Sequence, residues 1–209
     1  MTADETALVE ALRRGDEGAF AALIAMYHPS LLRLAMAYVA TREQAEDAVQ
    51  ETWLGVLNGI DRFEGRSSLK TWIFRILVNR AKTKGVREHR SIPFSSLEAE
   101  GDGGEPAVDP SRFGDSGKLA GAWSAPPESW DGIPEDRLLS AETRAVVDEA
   151  IAALPPMQRA VITLRDVRGF SAPEAREVLG LSDANERVLL HRARSKVRAR
   201  LEEYLASAA

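Results

Sequence analysis

The side chains that could do chemistry in this 209-residue chain are cations gathered in two blocks. Between Arg187 and Arg200 stand six Lys/Arg and no acid, a local +6. Between Arg62 and Arg90 nine Lys/Arg face two Glu, a local +7. Cations at this density hold phosphate oxygens, and an arginine fork can also take the paired acceptors on a guanine edge. The chain as a whole is nevertheless acidic, at −5, because ten Asp/Glu against three Lys/Arg give residues 91–140 a charge of −7. Two basic blocks flanking an acidic spacer suit two separate contacts with a polyanion. Two solvated helix faces would give the same composition. The residues that catalysis needs are scarce. There is no cysteine, His28, His89 and His191 are scattered, and no glycine-rich loop could cradle a phosphate. The expectation is a protein with no active site, no metal and no cofactor.

Helices must position these groups. Phe20, Leu23, Ile24 and Tyr27 recur at i, i+3, i+4, i+7, and Leu31, Leu34, Ala35 and Tyr38 continue the stripe. Thr41 with Gln44 forms a capping box, followed by an inward stripe of Ala45, Ala48, Val49, Thr52, Trp53, Val56, Leu57 and Ile60. After a break at Gly65, Ser67 or Ser68 can cap a helix carrying Leu69, Trp72, Ile73, Ile76 and Leu77 inward. Residues 91–139 hold six of the ten prolines and seven of the fifteen glycines without an apolar period, the composition of a flexible linker. Phe113, Trp123 and Trp130 are unusual in a pure spacer. Beyond it, Val146, Val147, Ala150, Ile151 and Leu154 mark a helix stopped by Pro155-Pro156, and Met157, Ala160, Val161 and Leu164 mark the next. The predicted class is all-α: two small helical domains, 1–90 and 140–209, joined by the linker 91–139. The first residues are acidic where a secretory signal would be basic, and no run approaches the ~18 apolar residues of a membrane span. A cytoplasmic protein without membrane insertion is expected. With four residues left after Leu205, no further C-terminal domain is expected.

Three constellations carry function. Ser171 and Glu174 form a capping box on a short helix that Gly180 ends, and Ser182 opens a longer basic one. That is a helix-turn-helix pattern, whose second helix enters the major groove. A plain helical hairpin has the same outline. If Leu190, Ala193 and Val197 point inward, Arg187, His191, Arg194 and Lys196 face DNA, with Arg192 at the border. The second is the helix from Leu69 to Arg90, which sets Thr71, Arg75, Asn79 and Lys82 on one face. It follows a polar loop, Phe63 to Ser68, with Arg66 and Ser67. Aromatic, polar and basic groups together suit unstacked single-stranded bases. The third is the outer face of the Thr41 helix, where Asp47, Gln50, Glu51 and Leu54 fall at i, i+3, i+4, i+7. An acidic face with an exposed leucine resembles a protein-docking surface; a solvated helix back is the alternative.

Four segments together resemble bacterial sigma factors of the compact extracytoplasmic-function (ECF) group, which keep the second and fourth sigma regions. They are Ala45–Leu54, RFEGRSSLKTWIFRILVN, LPPMQRAVITLRDVRGFS and LLHRAR. The resemblance spans about residues 5–90 and 140–205. It implies that Asp47, Gln50, Glu51 and Leu54 grip the clamp helices of core RNA polymerase. It implies that Phe63, Arg66, Ser67, Arg75, Asn79 and Lys82 hold the melted minus-ten strand of promoter DNA. Arg187, His191, Arg192 and Arg194 would read the minus-thirty-five element as duplex, and the linker would thread the polymerase channel later used by RNA. An anti-sigma protein is a further implied partner. A polymerase-independent repressor or activator is the rival reading; it accounts for the helix-turn-helix but not for the Asp47 face. One departure stands out. Where the group usually opens its recognition helix with Gly-Thr-Val, this chain has Ala184-Asn185-Glu186, and Val188-Leu189 replace a usually polar pair. A buried Glu186 requires an arginine partner or a rotated turn.

Overall fold

The computed structural model describes residues 2–88 and 141–207, and among these every regular element is helical. The expected linker with Phe113, Trp123 and Trp130, together with His89 and Arg90, lies outside the described residues. The first domain contains α1 (Ala3–Arg13), α2 (Glu17–Ala35), α3 (Arg42–Gly59), a 3-10 turn (Ile60–Arg62) and α4 (Leu69–Glu88). The second contains α5 (Ala141–Ala152), α6 (Pro156–Ile162), a π-helical turn (Thr163–Val167), α7 (Ala172–Leu179) and α8 (Asp183–Ser207).

Helix α1 was not marked by the sequence pattern. Its buried residues, Val9 and Leu12, are too few for a sustained period. It matters because it holds the neighbouring loop. Arg13 donates to the carbonyls of Ile60 (3.4 Å) and Phe63 (2.7 Å), and Glu5 accepts from the Leu69 N–H at 2.5 Å. Helix α2 corrects one expectation: at 19 residues and mean hydropathy 1.2 it is long and apolar enough to cross a membrane. One face of it is buried, with Leu23, Leu31, Leu34 and Ala35 inside, and Asp16 caps its start.

The Thr41–Gln44 capping box of α3 forms in both directions, and Ala45, Ala48, Val49, Thr52, Trp53 and Val56 are buried as the spacing predicts. Leu57 departs from the stripe. It is half exposed and lines an apolar groove with Leu12, Phe20, Ile24 and Ile60. Helix α3 packs closely on α4 at Gly55 and Gly59. A Cβ there would sit 3.2 Å from Ile76 and 3.1 Å from Trp72 respectively, tighter than ordinary contact. Ser68, rather than Ser67, caps α4, accepting from the Thr71 N–H.

In the second domain the Ser171–Glu174 box forms, and Gly180 ends α7 in the left-handed conformation at φ 72°. Only glycine adopts that conformation without strain, and it turns the chain into α8. Glu186 is buried and finds an arginine: its Oε1 lies 3.0 Å from Arg165 Nε. These two atoms are not aligned for a hydrogen bond, so the contact is electrostatic. The π-helical turn that carries Arg165 brings it to this position, and the guanidinium also donates to the Phe170 carbonyl at 2.7 Å.

The two domains share one continuous core. Helix α7 lies along α4, and the Phe74 and Phe170 rings meet edge-on at 5.0 Å. Arg159 of α6 reaches back to the Met36 carbonyl at 3.2 Å.

Candidate nucleic-acid and protein interfaces

On α3 the outer face is as the spacing predicts. Asp47, Gln50 and Leu54 are exposed and Glu51 is half-buried. Leu54 is 59% exposed, a large apolar side chain with no cover among the described residues. Lys84, from α4, bridges Asp47 and Glu51 at 3.2 Å each. Burial lowers the Lys84 pKa, but hydrogen bonds to the two carboxylates outweigh it and hold the ammonium above its ordinary value. A shallow depression beside this face is lined by Glu51, Leu54, Asn58, Arg62 and Arg80.

The residues expected to hold a melted strand are divided. Arg66 and Asn79 are exposed and Ser67 is half-buried, with Arg66 paired to Glu64. Phe63 is a core residue instead: it is 5% exposed, and its ring sits 5.1 Å from that of Trp72. The loop carries its polar groups outward because its aromatic anchors it inward. Arg75 and Lys82 face the second domain. Arg75 pairs with Glu177 at 3.1 Å, and Lys82 donates to the Leu179 carbonyl at 3.1 Å. Thr71, expected on the same basic face, is fully buried there with its hydroxyl near Glu174. Lys70, missed by the sequence reading, donates to the Arg168 carbonyl and stands 3.7 Å over the Phe170 ring. Burial depresses its pKa most, partly offset by Glu174.

On α8 the buried positions are Glu186, Leu189, Leu190, Ala193, Leu201 and Leu205, and the opposite face of its first half presents Ala184, Arg187, Val188 and His191. Arg187 pairs with Asp183 at 2.8 Å, and Asp183 also pairs with Arg176 of α7. Arg192 is half-buried at the border. Arg194 is exposed but held in a two-pronged pair by Asp166, at 2.8 and 2.7 Å. The described residues contain no cluster of three or more metal-ligating side chains.

Fold and surface together define a two-domain helical protein with a helix-turn-helix and a separate acidic-apolar face. The family model for Sigma-70 region 2 matches residues 23–91, and that for Sigma-70 region 4 matches residues 144–197. Among curated relatives, the ECF RNA polymerase sigma-E factor of Escherichia coli K12 is 30% identical over 190 residues, covering 91% of this chain and 90% of the relative. The RNA polymerase sigma-H factor of Pseudomonas aeruginosa is 30% identical over 201 residues, covering 96% and 95%. Two solved structures share the fold. The sigma factor RpoE, in complex with the anti-sigma factor NepR from Bartonella quintana, has a TM-score of 0.55 at 24% identity, covering 88% of this chain and 96% of RpoE. CnrH, in complex with the cytosolic domain of CnrY, has a TM-score of 0.54 at 22% identity, covering 98% and 99%. The chain belongs to the ECF sigma factors of the sigma-70 family, whose work is promoter-specific initiation of transcription with RNA polymerase.

Proposed function

We propose that this chain binds core RNA polymerase through the outer face of α3, reads the minus-thirty-five element as duplex with α8, and helps open the minus-ten element. The observation that carries this reading is the two-sidedness of α3. Its inner face is core, while Asp47, Gln50 and Leu54 stand outward. An autonomous repressor or activator has no use for that second surface. In the proposed division, residues 1–90 dock on polymerase and capture the melted strand, 91–139 link, and 140–209 read duplex. Arg66, Ser67 and Asn79 meet the strand first. Arg75 and Lys82 join once α7 moves off α4, and Phe63 acts by anchoring the loop.

Melting costs unstacking energy, which binding of the exposed bases must offset. Bond formation belongs to the polymerase, so the chain itself catalyses nothing. The RpoE–NepR complex supports an anti-sigma protein as a second partner, and work with polymerase on promoter DNA supports a cytoplasmic location. The test is transcription from a genomic fragment library by core polymerase, with and without the chain. The expected result is a small set of discrete start sites that require the chain. A transcript set unchanged by its addition overturns the proposal.

A further inference from the structure

Four large apolar side chains are exposed among the described residues. Met26, Leu54 and Leu57 lie in the first domain, and the fourth, Val188, stands on the outer face of α8. Ala184, Arg187, Val188 and His191 recur at i, i+3, i+4 and i+7, directly opposite buried Glu186, Leu189, Leu190 and Ala193. Glu186 and Arg165 fix that rotation, because turning the helix would take a charge out of its paired site. Valine in a helix is confined to essentially one χ1 rotamer, so its two methyl groups point in a set direction. Arg187 beside it is already oriented by Asp183.

From this placement we infer that Val188, flanked by Ala184, is a specificity-determining residue that packs on the C5-methyl group of a thymine in the duplex element. The inference rests on α8 being the duplex-reading helix. The major groove offers N–H donors, oxygen and nitrogen acceptors, and one apolar knob, the thymine methyl. A valine pressed against a donor or acceptor would strip it of water and return nothing, whereas against the methyl both surfaces leave water together. Ala184 precedes Val188 by four residues, about 6 Å along the helix, or about two base-pair steps. Arg187 on the same face takes a guanine or a phosphate nearby. The element read by this chain therefore contains a thymine within about two base pairs of the Arg187 contact.

The experiment uses the full chain bound to core RNA polymerase. A randomised duplex library first yields the preferred upstream element, and each thymine in it is then replaced singly by deoxyuridine, which removes only the methyl. The expected result is one position where deoxyuridine weakens binding about fourfold, the worth of one buried methyl. In Val188→Ala that position should become indifferent to the replacement, and in Val188→Thr, which keeps one methyl, sensitivity should persist. Val188 is exposed and alanine favours helix, so folding is not at risk. Binding to a selected element with no deoxyuridine-sensitive position, or the same sensitivity in Val188→Ala as in the parent, overturns the inference while leaving the duplex-reading role intact. Failure to select any upstream element overturns both.

Discussion

At the residue scale, Glu186 shows how a side chain that violates the apolar pattern is accommodated. The sequence alone posed two solutions, an arginine partner or a rotated turn. It could not choose, because Arg165 lies on a different element and only the π-helical turn brings it within 3.0 Å. A buried ion pair is costly to break from one side, since the remaining charge keeps its desolvation penalty. The two sides here are unequal: the Glu186 side chain is 3% exposed and that of Arg165 is 24% exposed. Arg165→Ala is expected to destabilise the chain by about 3 kcal/mol, stranding a carboxylate in the core. Glu186→Val should cost much less, about 1 kcal/mol or nothing, because Arg165 keeps the Phe170 carbonyl and reaches solvent. Denaturant midpoints of the two variants, measured side by side, check this ordering. Phe63 teaches the complementary lesson. An aromatic beside basic residues reads as a stacking platform or, more often when taken alone, as a core anchor, and contact with Trp72 shows the anchor.

At the element scale the capping residues were the most legible signals. Thr41, Ser171, Gly180 and Ser182 all act where their types and spacing place them, because caps are decided by local geometry. The apolar stripes of α3 and α8 were legible for the same reason. Leu57 was not, because its exposure depends on how far α1 and α2 cover the far end of α3. Helix α1 was also missed, and with it Arg13 and Glu5, which tie the 63–68 loop to the bundle. That loop and the exposed part of α4 belong to the opening step under the proposed function. Asn79→Ala and Arg66→Ala should therefore leave closed-complex binding within about twofold and slow open-complex formation about tenfold, the scale of one lost base contact. A promoter already mismatched at the minus-ten element separates the causes. A variant restored on it is defective in melting, one still defective has lost capture of the strand, and one normal on both has a purely structural loop.

At the scale of the whole molecule, the two halves were legible as separate helical groups, but their contact was not. Nothing in periodicity says that α7 should lie on α4, where it covers Thr71 and engages Arg75 and Lys82, while Lys70 donates to the Arg168 carbonyl in the segment before it. In this closed arrangement the helix-turn-helix sits on part of the surface that the proposed function gives to the melted strand, so under that proposal promoter opening requires the halves to part. Glu174 is central to the contact. Hydrogen bonding from the Ser171 hydroxyl holds its carboxyl below the ordinary value against the opposing effect of burial, with the Ser171 N–H, Lys70 and Thr71 adding. The chief causes lie inside the α7 capping box, so the depressed value stabilises the start of α7 at neutral pH, and that stabilisation is lost as pH falls through it; helicity by circular dichroism should fall accordingly. Energy transfer between labels on α3 and α8 reports the contact between the halves. It should drop at neutral pH in Glu177→Lys, where repulsion of Arg75 shifts the balance by about fivefold, or ~1 kcal/mol. The central claim is that the outer face of α3 recruits polymerase, and the affinity of the full chain for core RNA polymerase tests it most directly. Asp47→Lys with Glu51→Lys removes both carboxylates that Lys84 pairs with and sets two more ammoniums beside it, so the variant should lose about 1–2 kcal/mol of stability and still fold. Like charges brought together at an interface cost several kcal/mol, so the variant should bind core polymerase at least about a hundredfold more weakly than the parent. A folded variant that binds core polymerase as tightly as the parent, or a parent that does not bind it, contradicts the account.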